Sequence, residues 1–120
     1  LQKIKIGGKV ILKNIFFDSD KYELKPESKV ELNKLKDFLD KNPTLKIEVG
    51  GHTDNQGVKS HNMELSKNRA KAVSDWLIMN KISKDRLSYK GYADNEPIAS
   101  NENKESRSKN RRTEFKIIGK

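Results

Sequence analysis

Two glycines, a histidine, a threonine and an aspartate follow directly on a run that reads as a strand in "IEVGGHTDNQG", Ile47 to Gly57. Asp54 offers an anionic acceptor, and Thr53 and free loop N–H groups offer donors. Gly50, Gly51 and Gly57 allow a tight backbone and the close approach of something bound. A second chemically capable residue stands further on. In "HNMELSKNRAKAVSDWL", Met63, Leu65, Ala70, Val73, Trp76 and Leu77 share one face at helical spacing, and Arg69 falls inside that face between Trp76 and Val73. Asn62 and Ser66 lie on the same arc, so it begins as a polar strip and becomes apolar after Arg69. A guanidinium on the core side is costly unless paired, and Asp54 is the carboxylate within reach. Two readings stand open: Asp54 and Arg69 bridge each other, or they flank a pocket that takes a zwitterion.

Other chemistries fit the residues less well. His52, Asp54 and His61 suggest a metal triad, but these are the chain's two histidines, there is no HExxH spacing, and cysteine is absent. His52 is expected to orient the loop and His61 to lie on the surface near a helix start. No serine sits in a nucleophile elbow, so the chain reads as a non-enzyme without a cofactor. The formal net charge of +9, from 26 Lys and Arg against 17 Asp and Glu, favours polyanions in general. Those charges are spread along the chain, are dense only over "KESRSKNRR" (Lys104 to Arg112), and have few aromatics between them. A solvated basic surface is the preferred reading, with a nucleic-acid-binding or polyanion-binding module as the alternative.

Elements must position these residues. The 120 residues suit a single domain, with 32% hydrophobic content enough for a modest two-layer core. "KVILKNIFF" (9–17) reads as a strand or as two short ones around Asn14, and Pro26 starts a helix running to about Lys41. Leu32, Leu35, Phe38 and Leu39 form that helix's stripe, and Val30 lies off it. "TLKIEVGG" alternates inward Leu45, Ile47 and Val49 with Lys46 and Glu48. A second helix is predicted from about Asn62 to Asn80, with Lys67, Lys71, Ser74 and Asp75 on its solvent side. "RLSYKGYA" and "RTEFKII" supply two more strands. The order β-α-β-α-β-β predicts an α/β (α+β) sandwich, a mixed sheet with helices packed on one face. The stretch 93–109 is long enough to be functional or to hide a short helix. With no apolar run of 18 residues and no signal core, membrane contact is expected only through segments outside this chain, which reads as excised from a longer exported protein.

The motifs "ILKNIFFDSDKYELKPES", "IEVGGHTDNQG", "NMELSKNRAKAVSDWL", "RLSYKGYADNEPIA" and "SKNRRTEF", in that order, resemble the OmpA-like C-terminal domain shared by OmpA-type porins, the Pal lipoprotein and the stator protein MotB. The resemblance covers roughly Val10 to Ile118, and the leading "LQKIKIGGKVILKNIFF" is similar to the version carried by outer-membrane proteins of the family. It implies a periplasmic domain that grips peptidoglycan without covalent chemistry, at the meso-diaminopimelate residue of the stem peptide. By the same resemblance Asp54 takes the ligand's ammonium and Arg69 its carboxylate. Thr53, Asn62 and the backbone around Leu65 complete the grip. Arg111, Phe17 and Asp18, the last two at the end of the first strand, lie beside the pocket. Ala93 stands where the family commonly has glycine and Thr113 where it commonly has an aliphatic residue, which bears on a local turn and a strand contact.

Overall fold

The strand ending in the glycine-rich loop, β2 (Lys46–His52), occupies an interior position in a four-stranded sheet. The computed structural model describes residues 5–120; the "LQKI" that opens the expected 1–120 unit lies outside the described residues. On one side β2 runs antiparallel to β4 (Arg112–Gly119), with Ile47 opposite Ile117 and Val49 opposite Phe115. On the other it runs parallel to β3 (Leu87–Ala93), with Gly51 opposite Gly91. β1 (Lys9–Leu12) adds to the free side of β4, giving the order β1-β4-β2-β3.

Pro26 opens a single 3-10 turn, Pro26–Ser28, that leads into α1 (Lys29–Lys41). Leu32, Leu35 and Leu39 are buried and Val30 is exposed, as the stripe requires. Phe38 packs its ring 5.8 Å from that of Phe115. Carbonyls at the C-terminal end of α1 are satisfied from a distance. Arg86 donates through Nη2 to Leu39 O (2.9 Å) and Asn42 O (2.8 Å), placing a cation at the negative helix end. α2 (Lys59–Met79) adds Ala70, Val73 and Leu77 to the same cluster, which joins Leu45, Ile47, Val49, Phe115 and Ile117. Each Val, Leu, Ile or Phe of this cluster, fully buried, contributes roughly 1.5–3 kcal/mol. The helices thus share one face of the sheet.

The structure corrects four expectations. β1 ends at Leu12, because its partner there is Thr113 and the ladder of β4 begins only at Arg112. Phe17 and Asp18 therefore lie in the loop beyond β1 rather than on a strand. The stretch after β3 holds a short helix, α3 (Lys104–Asn110), one of the two readings its length allowed, and this changes the expected order to β-α-β-α-β-α-β. α2 begins three residues earlier than predicted, at Lys59. Ser74, expected in solvent, is 3% exposed, since α2 lies across both β2 and β3 and its covered arc is wider than one stripe.

Candidate functional site

The parallel strands β2 and β3 end side by side, and the site begins where they end. Thr53 N donates to Ala93 O (2.8 Å), which turns the loop away from the sheet. Ala93 has φ +49°, a left-handed conformation that explains why glycine suits this position. α2 then closes tightly on the strands. A Cβ on Gly51 would lie 2.1 Å from Ser66 O, and one on Gly91 would lie 2.5 Å from Lys67 N. The two facing glycines let the backbone of α2 touch the sheet and bring Asn62, Leu65 and Arg69 over the strand ends.

A cleft of about 510 Å³ results. Phe17, Thr53, Asp54, Asn62, Leu65, Arg69 and Arg111 all line it, so seven of the eight residues expected at the site converge. Asp18 does not line it, although its carbonyl accepts from Arg69. The cleft also takes in Ile15, Phe16, Ser19 and Asp20 from the loop after β1. That loop is fixed by Ser28, whose Oγ accepts from Phe16 N (2.7 Å) and donates to Phe16 O (3.2 Å).

Asp54 and Arg69 do not bridge each other. The Asp54 carboxylate accepts from Gln56 N at Oδ1 (2.9 Å) and from Arg111 Nη1 at Oδ2 (2.5 Å). Arg69 instead donates from Nε to Lys21 O (2.7 Å) and from Nη2 to Asp18 O (3.1 Å), and its guanidinium carbon stands 4.9 Å from the centre of the Phe17 ring. Two carbonyls and an aromatic face thus replace the expected carboxylate. Burial pushes the Arg69 guanidinium below the usual arginine value, with Asp20 opposing and Arg111 adding to the shift. Two of its five N–H groups are engaged, so the fork keeps donors for an anion.

The loop is braced from several sides. Asn62 Nδ2 donates to Gln56 O (2.7 Å), and Thr53 Oγ1 donates to Asp54 O (2.8 Å). His61 pairs with Asp20 across the cleft rim, and this hydrogen bond holds the Asp20 carboxyl below its ordinary range. His52 bonds Glu114 instead, so the two histidines serve separate pairs. Sequence reasoning missed Asp20 and the carbonyls of Asp18 and Lys21. Carbonyls leave no trace in residue type, but the "DSD" break after Phe17 was a usable sign of a structured turn.

Fold and cleft define a class: a mixed four-stranded sheet, helices on one face, and a charged cleft where the parallel strands end. Residues 16–111 match the OmpA family, and the chain belongs to that family. It is 35% identical over 104 residues to outer membrane porin F of Pseudomonas fluorescens, covering 87% of this chain and 32% of that protein. It is 37% identical over 103 residues to the peptidoglycan-binding protein ArfA of Mycobacterium tuberculosis, covering 86% of this chain and 32% of that one. The chain thus spans about a third of the length of these curated relatives. Among solved structures it is similar to the cell wall anchor of the T6SS from Pseudomonas aeruginosa, with TM-score 0.79, 27% identity, and coverage of 93% of this chain and 80% of that one.

Proposed function

We propose that this protein binds peptidoglycan non-covalently from the periplasm, gripping the diaminopimelate residue of the stem peptide and tethering the envelope component that carries it to the cell wall. The observation that carries this reading is the placement of Asp54 and Arg69 in one cleft without being spent on each other. The free end of a diaminopimelate side chain presents an ammonium and a carboxylate on one carbon. Asp54 accepts from the ammonium, for which each carboxylate oxygen retains a second lone pair. Arg69 receives the carboxylate, using its remaining donors in a planar fork. Thr53, Asn62 and Leu65 shape the wall between them, and Phe17 and Arg111 flank it. Asp18 sets the direction of Arg69 through its carbonyl. Membership of the OmpA family and the likeness to a protein named as peptidoglycan-binding support the same reading.

Arg111 holds Asp54 in the structure, so the ligand's ammonium must share that carboxylate with a guanidinium or displace it. The Arg111 side chain is 45% exposed and has room to move. Binding requires no bond to break, and every group named acts as donor, acceptor or wall.

Co-sedimentation with purified sacculi tests this. The protein is expected to pellet with diaminopimelate-type walls, to be released by free meso-diaminopimelate, and to pellet poorly with walls that carry lysine at that position. Equal retention on both wall types would overturn the diaminopimelate assignment, and no retention on either would overturn wall binding itself.

A further inference from the structure

The face of the sheet turned away from α1 and α2 should present solvated side chains, as open antiparallel faces do. At the cleft end it does not. His52, Arg112 and Glu114 project there, with side chains 0%, 6% and 7% exposed. The segment after β3 reaches this site, since Arg112 Nη2 donates to Glu96 O (2.9 Å). Asn110 pins the same segment, accepting at Oδ1 from the N–H groups of Ile98 (2.7 Å) and Ala99 (2.9 Å).

Within this enclosure His52 Nε2 stands 2.9 Å from Glu114 Oε1, and Arg112 Nε donates to Glu114 Oε2 (3.3 Å). The His52 ring stacks on Tyr92 with centroids 4.8 Å apart and planes 4° from parallel. Its other nitrogen, Nδ1, is buried and has no hydrogen-bond partner among the described residues. A carboxylate only accepts, so the hydrogen of this bond sits on Nε2, and in the neutral ring the lone pair is left on Nδ1. Protonating Nδ1 would bury an N–H without an acceptor close to the Arg112 charge. Burial first, then Arg112, pushes the His52 pKa down, and Glu114 opposes them. The remaining polar groups around the site are Glu48, bonded to the Tyr92 hydroxyl, Lys90 over the Tyr92 ring, and Glu96, paired with Lys9.

The location gives this network a consequence for the cleft. His52 and Arg112 are cross-strand partners in the β2–β4 ladder. Asp54 lies two residues beyond His52, and Arg111 immediately precedes Arg112. The network therefore fastens together the two strand ends that carry the Asp54–Arg111 pair. We propose that His52, as its neutral Nε2–H tautomer, is a positioning residue that acts through Glu114 and Arg112 to hold Asp54 and Arg111 in the geometry the ligand requires. As far as it concerns binding, this rests on the peptidoglycan reading given above.

Two substitutions separate positioning from bulk stability. His52→Phe keeps a stacked ring and removes the donor, whereas His52→Gln keeps an N–H that reaches Glu114. Each is compared with the wild type by thermal melting, by calorimetric titration with a diaminopimelate stem peptide, and by NMR of the His52 ring nitrogens, the Arg111 side chain and the Gln56 amide. The wild type is expected to show the Nε2–H tautomer at neutral pH. The folded Phe variant is expected to bind about tenfold more weakly with Arg111 and Gln56 signals displaced, and the Gln variant to recover to within about threefold. A wild-type ring that is charged or in the Nδ1–H form, or a folded Phe variant with unchanged signals and affinity, would overturn the proposal. Should the Phe variant fail to fold, Glu114→Gln is read by the same signals with the same criteria. Should the wild type not bind the peptide, the peptidoglycan reading fails, and the Arg111 and Gln56 signals alone decide whether His52 positions the pair.

Discussion

Arg69 is the residue whose environment most constrains the account. A guanidinium facing inward was bound to need acceptors, and it finds two backbone carbonyls and the Phe17 ring in place of Asp54. Arg69 and Asp54 are therefore not spent on each other: Arg69 keeps free donors, and Asp54 is held by Arg111 and Gln56 N. Arg69→Lys is expected to lose most binding even though charge is retained, because a point charge cannot hold Lys21 O, Asp18 O and a carboxylate together. A titration of this variant beside the wild type checks it, and an unchanged affinity would mean that only charge matters at this position. Asp54→Ala removes the acceptor of Gln56 N and of Arg111, and is expected to cost about 1–2 kcal/mol of stability as well as binding. The value is modest because Arg111 is half in solvent, and urea midpoints measure it. Asp54 and Arg69 were legible in the sequence from helical phase and loop chemistry. Their partners were not, since carbonyl acceptors carry no residue signature and Arg111 reaches Asp54 from 57 positions away.

At the scale of elements, the close contact between α2 and the strands sets the cleft. Gly51→Ala would place a methyl group 2.1 Å from the Ser66 carbonyl, against backbone that cannot turn aside. It is expected to destabilise by about 2–3 kcal/mol or more, seen as a lower melting temperature. Ala93→Gly should act in the opposite direction, by up to about 1 kcal/mol, because φ +49° strains an alanine; a lower melting temperature would contradict this. α1, β2 and β4 were legible because each buries a regular stripe, such as Leu32, Leu35 and Leu39 or Ile47 and Val49. α3 was legible only as one alternative raised by the length of 93–109, being seven residues long and without an apolar stripe. Its start is set by Asn103, whose Oδ1 accepts from Ser106 N (2.8 Å), and its value lies in delivering Asn110 to the loop it pins. β1 was read as too long because only the ladder partner shows where an edge strand must stop.

For the whole molecule, charge and pH bear on stability and partners. Burial, with Arg112 adding to it and Glu114 opposing, pushes the His52 pKa below its ordinary 6.5. The unfolded chain therefore takes up this proton as pH falls through about 6.5, and the folded chain takes it up only at lower pH. The stability from this site is complete above that value and declines as pH falls toward the folded pKa. Urea midpoints are expected to drop as pH falls below about 6.5, and His52→Gln to flatten that part of the profile. Asp20, held low by His61, acts in the same direction at more acid pH, though it is exposed and screened. The net charge of +9 is distributed rather than gathered in one stripe. Binding by the cleft is expected to survive salt that removes polyanions from the surface, and a steep loss of wall binding with salt would favour the polyanion reading.

Calorimetric titration of the folded protein with a stem peptide containing meso-diaminopimelate, beside folded Asp54→Ala and Arg69→Ala, tests the central claim most directly. Saturable one-site binding by the wild type, lost in both variants, is the expected result. A folded wild type that does not bind, or either variant binding as the wild type does, would contradict it.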